Sequence, residues 1–155
     1  MQSECFTQIV AALREAEVEF GLLEHEPVHT SEEAAEVRGM SQRIGAKSLL
    51  LKADDGFIVA IIQGDKRLDI KKLMQHLGTS KKPRFARPEE VEEQLGCQVG
   101  ACYPMSYLAG VPAVLDTAFT AEESLSFNPG VHNKTIILDM DDFLTVADPS
   151  LAELT

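Results

Sequence analysis

The stretch Gly45-Ala46-Lys47-Ser48-Leu49-Leu50-Leu51-Lys52 leads from a glycine-containing turn into a strongly apolar strand. Such a run of leucines is typical of a strand that is buried on both faces rather than exposed on one. Lys47 stands at the start of this strand, where its aliphatic stem can pack against a core while its ammonium faces a pocket. From these residues alone, a charged strand end is the simpler interpretation of Lys47.

The chain around this stretch predicts a mixed α+β fold. A second β-rich run at 57–63 follows the turn 53–56, whose Asp-Gly pair is typical of a tight hairpin. Helices and strands do not alternate regularly, so a doubly wound sheet is not expected. The other predicted elements are a helix capped by Ser3 and ending before Gly21, a capping box at 30–33 whose helix ends at Gly39, helices over 69–77, 87–96 and 141–146, strands over 22–25, 111–116, 125–127 and 135–138, an extended piece at Phe85, an irregular segment over 96–110, and a frayed acidic tail after Pro149.

The composition is that of an ordinary globular protein. A length of 155 residues predicts one domain over 1–155, and the hydrophobic and charged fractions of 45% and 25% are usual. No apolar run reaches the roughly 18 residues of a membrane span, and the N-terminus lacks a secretion-signal pattern. A cytoplasmic location without a membrane partner is therefore expected. The cysteines lack metal-type spacing, which indicates reduced thiols, and neither a metal nor a cofactor is expected.

The net charge and the local distribution of charge support opposite conclusions about nucleic-acid binding. The formal net charge of -11 counts against nonspecific binding to nucleic acid. Eight of the fourteen basic residues, however, lie between Lys66 and Arg87, against the single acidic residue Asp69. This segment is either a local basic surface for a phosphate chain or a solvated helix face, and charge alone leaves both interpretations open.

Several motifs occur in an order that resembles a known family. Each motif alone is weak, but together they extend from about residue 21 to about residue 144. The motifs are His25-Glu-Pro-Val-His-Thr-Ser-Glu-Glu-Ala, Gly45 to Leu51, Gly64-Asp65-Lys66-Arg67-Leu68-Asp69, Gly100-Ala101-Cys102-Tyr103-Pro104 and Phe127-Asn128-Pro129-Gly130. In this order and spacing they resemble the YbaK/prolyl-tRNA synthetase-associated editing-domain family.

The resemblance implies a mixed, barrel-like β-sheet core flanked by helices, and deacylation of mischarged aminoacyl-tRNA that carries a small amino acid. It places the family's lysine, linked to the 3′-terminal nucleotide, at Lys47, and the family's Gly-x-x-x-Pro loop, linked to the aminoacyl group, at 100–104. The implied partner is the acceptor end of aminoacyl-tRNA, with a synthetase or an elongation factor as further candidates.

The chemistry of an ester hydrolase is consistent with these two elements. Backbone N–H groups of a loop can stabilise a developing oxyanion, and a lysine can orient the scissile ester by its charge. No glycine-flanked nucleophilic serine is found, so activation of water by the substrate's own ribose hydroxyl is the preferred mechanism. The catalytic candidates are Lys47, Gly100, Ala101 and Cys102; the substrate-binding candidates are Tyr103, Pro104, Asn128, His132 and Asp116; the tRNA-binding candidates are Lys66, Arg67, Lys71 and Lys72.

Some points stay open on the sequence. Alanine-removing members of the family typically carry Phe-His-Pro, whereas Asn128 stands in the histidine position here, which argues against alanine specificity. His132 is either a pocket residue or a surface turn residue, and Asp116 either orients a water or caps a turn. The alternative functions are a noncatalytic module that holds a tRNA end or a nucleotide, and an interaction domain with an acidic surface.

Overall fold

The computed structural model describes residues 2–28, 30, 32–33, 36, 39, 41–54 and 56–155. Its helices and strands follow the predicted order along most of the chain. The helices are α1 (Gln2–Glu15), α2 (Ile70–Leu77), α3 (Pro88–Leu95) and α4 (Met140–Ala147), and the strands are β1 (Phe20–Glu24), β2 (Ala46–Ala53), β3 (Gly56–Gln63), β4 (Arg84–Phe85), β5 (Ala113–Asp116), β6 (Ser124–Phe127), β7 (Lys134–Asp139) and β8 (Ser150–Ala152).

The predicted hairpin is confirmed as the centre of the larger sheet. Strands β2 and β3 pair in antiparallel register from Ala46 opposite Gln63 to Ala53 opposite Gly56. Leu50 and Leu51 are both buried, and they belong to different hydrophobic clusters, one on each face of the sheet. The leucine run therefore has the two-sided burial that its composition predicted.

The described strands form two sheets. The smaller has the order β1-β7-β6 and is antiparallel, and the larger has the order β4-β2-β3-β5-β8, in which β3, β5 and β8 run parallel. An isolated bridge between Gly45 and Ser126 connects the two sheets at the start of β2. The mixed α+β class is confirmed, although the described strands do not close into a barrel.

The main core lies between the two sheets. The larger sheet contributes Val59 and Ile61, and the smaller contributes Phe127 and Leu138, all of them almost fully buried in one cluster. The opposite face of the larger sheet packs against α2 through a second cluster that includes Leu73. The two clusters thus cover the two faces of the β2–β3 hairpin, while β4 pairs with the outer edge of β2 only at Leu51 and Lys52.

Predictions at the two chain ends are wrong. Ser3 lies inside α1 instead of capping it, because the helix already begins at Gln2. The expected frayed tail after Pro149 is strand β8, which pairs with β5, and Leu154 beyond it is fully buried. The tail is ordered by contacts with distant strands, which the local acidic composition does not indicate.

One predicted helix falls largely outside the described residues. The proposed cap is present, since the Glu33 N–H donates to Thr30 Oγ1 at 3.0 Å, and Glu32, Glu33 and Glu36 are helical. Ala34, Ala35 and Val37, the apolar residues of this predicted helix, lie outside the described residues, as do His29 and Asp55.

None of the helices in the described part of the chain is long and apolar enough to cross a membrane.

Candidate active site

A cleft of about 600 Å³ opens beside the first half of β2. Its lining comes from residues 45–50, from the loop at 99–102, from Phe85 and Ala86, and from Asn128. Thr30 and Glu32 also line the cleft. Segments that are far apart in sequence, including the Lys47 motif and the Gly100 loop, therefore meet in one concave site of the size usual for small-molecule pockets.

The cleft exists because the outer edge of β2 is only partly covered. Strand β4 pairs with β2 at Leu51 and Lys52, and the Ala86 N–H donates to the Leu50 carbonyl at 2.9 Å. Before Leu50, no described strand pairs with this edge apart from the bridge at Gly45. This part of the edge borders the cleft, which is lined by Lys47 and Ser48 from opposite faces of β2.

Lys47 is half-buried in the cleft wall. Its Nζ donates to the backbone carbonyl of Lys66 at 2.8 Å, and no ion pair with a carboxylate is found among the described residues. Burial lowers the pKa of Lys47 below its usual value, the positive charge of Arg67 lowers it further, and Asp65 partly opposes both. Lys47 is therefore a cation whose carboxylate or phosphate partner is not supplied by the described chain.

The predicted tRNA-binding residues divide into two groups. Lys66 and Arg67 are exposed, and both interact with Lys47. The Lys66 carbonyl accepts a hydrogen bond from Lys47 Nζ, and the charge of Arg67 lowers the pKa of Lys47. Lys71 is exposed on α2. Lys72 is not a free basic group, because its Nζ lies 2.7 Å from Glu153 Oε1 and 2.6 Å from the Thr155 carbonyl. The structure thus gives Lys72 a role in holding the C-terminus.

The predicted loop contributes Gly100 and Cys102 to the cleft, together with Val99 before the motif. Gly100 has a φ of 88°, a conformation that favours glycine. Ala101 is fully buried, and its N–H donates to the Gln98 carbonyl at 3.0 Å. The backbone of Ala101 is therefore committed to the turn, which leaves Gly100 and Cys102 as the catalytic-loop candidates that line the cleft.

Asn128 and His132 hold this loop in place. Asn128 Nδ2 donates to the Gly100 carbonyl at 3.3 Å, and the His132 Nε2 lies 3.1 Å from the Val99 carbonyl. Since a carbonyl can only accept, His132 Nε2 must carry the proton. Asn128 lines the cleft, whereas His132 is not among its lining residues. The Asn-Pro-Gly turn thereby positions the Gly100 loop from the neighbouring sheet.

Close packing fixes the turn that carries these two anchors. Gly130 has a φ of 80°, and a Cβ at this position would lie 2.5 Å from the Cys5 Cβ of α1. A side chain at Gly130 would therefore collide with α1 as well as strain the backbone. The position of α1 and the position of the loop are linked through this contact.

The cysteines of the loop interact with each other. Cys97 is buried and Cys102 is partly exposed in the cleft. A hydrogen bond from the Cys97 thiol lowers the pKa of Cys102 against the opposing effect of burial, and the same bond together with burial raises the pKa of Cys97. Cys102 is thus the more acidic thiol of the pair.

Tyr103 and Pro104, predicted to bind substrate, do not line the cleft. Both are buried, and the Tyr103 hydroxyl donates to the Leu95 carbonyl at 2.7 Å at the end of α3. Burial raises the pKa of Tyr103 above its usual value. The structure gives these two residues the role of packing the loop onto α3, because the chain turns inward after Cys102.

Asp116, for which the sequence left open a water-orienting role and a turn-capping role, is not among the residues that line the cleft. It is fully buried at the end of β5, where its carboxylate accepts from the Leu154 N–H at 3.0 Å and from the Thr155 hydroxyl at 2.6 Å. Together with Lys72, these three residues form what we call the C-terminal clasp. The clasp attaches the end of the chain to β5 and α2.

Phe85 and Ser48 are among the cleft residues that the sequence analysis did not single out. Phe85 is 56% exposed at the cleft, and Arg84 beside it forms a bidentate pair with Glu90 of α3 at 2.8 and 2.9 Å. Ser48 lines the cleft next to Lys47. A serine within a leucine run and an exposed aromatic beside arginines were the available signals, but neither identifies a site without the fold.

Comparison with solved structures supports the fold assignment. The chain matches the crystal structure of a candidate trans-editing enzyme for prolyl-tRNA synthetase with a TM-score of 0.84, at 23% identity, over 97% of this chain and 96% of that one. At this level of identity the match concerns the fold. The arrangement of helices and strands is therefore shared with this solved structure.

Residues 25–146 match the family model of the aminoacyl-tRNA editing domain, and the chain belongs to this family. The Multifunctional Ser/Thr-tRNA deacylase ProXp-y of Escherichia coli (strain K12) is 32% identical over 149 residues, which cover 93% of this chain and 89% of that protein. The Prolyl-tRNA editing protein ProX of Acetoanaerobium sticklandii is 25% identical over 148 residues, with coverage of 92% and 90%. The predicted family is confirmed, and with it the expectation of an aminoacyl-tRNA editing enzyme.

Proposed function

We propose that residues 1–155 act as one trans-editing domain that hydrolyses the ester of a small amino acid on mischarged tRNA. The observation that carries this proposal is the meeting of Lys47, Gly100 and Asn128 in one cleft. These residues come from β2, from the loop after α3 and from the turn after β6. A cation and a backbone loop beside one open strand edge match the needs of ester hydrolysis without a side-chain nucleophile.

Lys47 holds the 3′-terminal nucleotide in this mechanism. Its ammonium is bound to a carbonyl and lacks an anionic partner in the described chain, so a phosphate oxygen can replace the Lys66 carbonyl as its acceptor. A charge-assisted hydrogen bond of this kind is stronger than the neutral one it replaces. Lys66 and Arg67 provide further positive charge close by, where the phosphate chain of the acceptor end would leave the cleft.

The Gly100 loop holds the ester. The N–H of Ala101 is engaged within the turn, so the N–H of Gly100 is the loop donor that we assign to the developing oxyanion. The attacking water is activated by the neighbouring ribose hydroxyl of the substrate. The loop's own contribution is orientation, which requires its anchors at Asn128 and His132 to keep it in place.

The cleft suits a terminal adenosine together with a small aminoacyl group. Phe85 and Val99 are 56% and 55% exposed in its lining, and an exposed aromatic ring can stack on a base. Selection against a larger acyl group then follows from the limited space, since a second hydrolytic site acts as a sieve by size. Serine and threonine are the first amino acids to test, because the E. coli relative is named for them.

The test is a panel of tRNAs mischarged with small amino acids, with turnover measured for the wild type, Lys47→Met and Lys72→Met. Loss of Lys47 should lower kcat/KM by about 100-fold or more, because the nucleotide loses its anchor and the ester its alignment. Lys72→Met is the matched control, since this lysine contacts the C-terminus instead of the cleft. Absence of turnover for every ester, or full activity of Lys47→Met, would contradict the proposal.

A further inference from the structure

A buried hydroxyl without a partner lies in the cleft wall. Ser48 lines the cleft, and within the described residues its Oγ is a buried side-chain oxygen that makes no hydrogen bond. Buried polar side-chain atoms in proteins are as a rule paired. Ser106, a buried serine outside the cleft, follows that rule by donating to the Val111 carbonyl at 2.8 Å. The difference suggests that the partner of Ser48 is a ligand.

The position of Ser48 in the strand indicates which end of the ligand it meets. Side chains alternate along β2, so Ser48 shares a face with Leu50 and lies on the face opposite to Lys47. Leu50 and Val91, which also line the cleft, belong to the main core cluster. Ser48 therefore places a hydroxyl on the side of the cleft that borders the apolar core. Lys47 lies on the other side, where we place the nucleotide.

We propose that the Ser48 hydroxyl selects substrates whose acyl group carries a side-chain hydroxyl, namely seryl and threonyl esters, by forming a hydrogen bond with that hydroxyl. This inference rests on the proposed function and adds a specificity-determining residue to it. Ser48 contacts the amino acid side chain and takes no part in the bond-breaking step, which stays with the Gly100 loop and the substrate's ribose hydroxyl.

Discrimination between seryl and alanyl esters follows because the Ser48 hydroxyl has no other hydrogen-bond partner among the described residues. Seryl and alanyl esters differ by one hydroxyl, and an alanyl group would leave the Ser48 Oγ as unpaired as it is in the free protein. A site built to bind a substrate hydroxyl disfavours the analogue without it, because the buried polar group stays unpaired. Threonine keeps the hydroxyl and adds a methyl group next to an apolar wall.

The kinetic test compares one tRNA charged with serine or with alanine. The wild type should prefer the seryl ester, and Ser48→Ala should lower the seryl to alanyl ratio of kcat/KM by about tenfold, mostly through the seryl ester. An unchanged ratio, or an equal loss for both esters, would overturn the proposal, because a structural or water-holding role affects both esters alike.

Ser106→Ala is the matched control, since it removes a buried serine hydroxyl that is bonded within the protein. It should lower the melting temperature and leave the seryl to alanyl ratio unchanged. Ser48→Ala removes a hydroxyl that has no hydrogen-bond partner among the described residues, so the melting temperature of this variant should not fall. A clear destabilisation by Ser48→Ala, with no change in selectivity, would show that the hydroxyl serves the fold.

Binding of non-hydrolysable analogues separates this inference from the proposed function. Seryl and alanyl amides of 3′-amino-3′-deoxyadenosine present the same two side chains without a cleavable ester. Preferential binding of the seryl amide by the wild type, lost in Ser48→Ala, would support the role of Ser48 even if the ester panel showed no turnover. Equal binding of both amides by the wild type would overturn it even if the esters were hydrolysed.

Discussion

The cleft and the C-terminal clasp each contain a lysine and a buried polar side chain. The two regions differ in whether the protein itself supplies partners for these groups. In the clasp, Lys72 is paired with Glu153, and both Asp116 oxygens accept hydrogen bonds. In the cleft, Lys47 contacts a backbone carbonyl, and the Ser48 hydroxyl has no hydrogen-bond partner among the described residues. The clasp is complete by itself, whereas the cleft is not.

The two lysines also differ in how the protein shifts their pKa. The hydrogen bond with Glu153 raises the pKa of Lys72, while burial and the charge of Arg67 lower the pKa of Lys47. The lysine of the clasp thus has a carboxylate partner, whereas Lys47, the proposed catalytic lysine, has none among the described residues. Groups that are poorly satisfied by the chain itself are expected where a ligand completes them.

The largest effect should come from breaking the clasp. Asp116→Ala removes the acceptor of the Leu154 N–H and the Thr155 hydroxyl, and hydrogen bonds to charged groups contribute about 1.5 to 3 kcal/mol each. We expect the free energy of unfolding, measured by urea denaturation, to fall by about 3 kcal/mol or more. Asp116→Asn keeps one acceptor oxygen and should lose less. If Asp116→Ala unfolded at the same urea concentration as the wild type, the clasp would not be a stabilising element.

An intermediate effect is expected from the anchors of the cleft loop. Asn128→Ala and His132→Ala remove the donors to the Gly100 and Val99 carbonyls, so the loop should lose its alignment with the ester. Each variant should lower kcat about tenfold with little change in unfolding free energy.

His76→Ala, on the exposed side of α2, is the histidine control for the loop anchors and should behave like the wild type. A large fall in stability for Asn128→Ala, with normal kcat, would mean that Asn128 stabilises the fold and does not position the loop for catalysis. The cleft and the clasp would then not differ in this respect.

The smallest effect is a shift in the pH dependence of activity. Because the charged form of Lys47 is needed, kcat/KM should fall as the pH rises through its lowered pKa. Arg67→Gln removes a charge that lowers this pKa, so the alkaline limb should move to higher pH. Asp65→Asn removes a charge that raises the pKa, so the limb should move to lower pH.

The measurement is kcat/KM across the alkaline range after subtraction of uncatalysed ester hydrolysis. Lys72→Met should leave the limb in place, since the pKa of this lysine is set within the clasp. Shifts of the same sign for Arg67→Gln and Asp65→Asn would exclude Lys47 as the group that is titrated.

The sequence predicted those parts of the fold that depend on neighbouring residues. The β2–β3 hairpin and the helices predicted over 69–77 and 87–96 follow from short patterns of apolar and turn residues. The clasp could not be predicted in this way, because Asp116 and Leu154 are separated by 38 positions in the chain. Nothing near either residue indicates that the other will satisfy it.

The site shows the same division. Ordered motifs singled out Lys47, Gly100 and Asn128, and all three line the cleft. The motifs did not distinguish residues that face the cleft from residues that hold it, so Tyr103 and Asp116 were assigned to the substrate. That distinction depends on which way the chain turns after Cys102 and after β5.

The fold class, the central hairpin and the family could be inferred from the amino-acid sequence, because these depend on local periodicity and on motifs in a fixed order. Which polar groups have hydrogen-bond partners within the protein, and which are open to a ligand, is seen only in the folded chain. The reason is that hydrogen-bond partners of buried groups come from distant segments, as with Asp116 and the chain end. Ser48 could be proposed as a site residue only from the folded structure, in which its hydroxyl has no hydrogen-bond partner among the described residues.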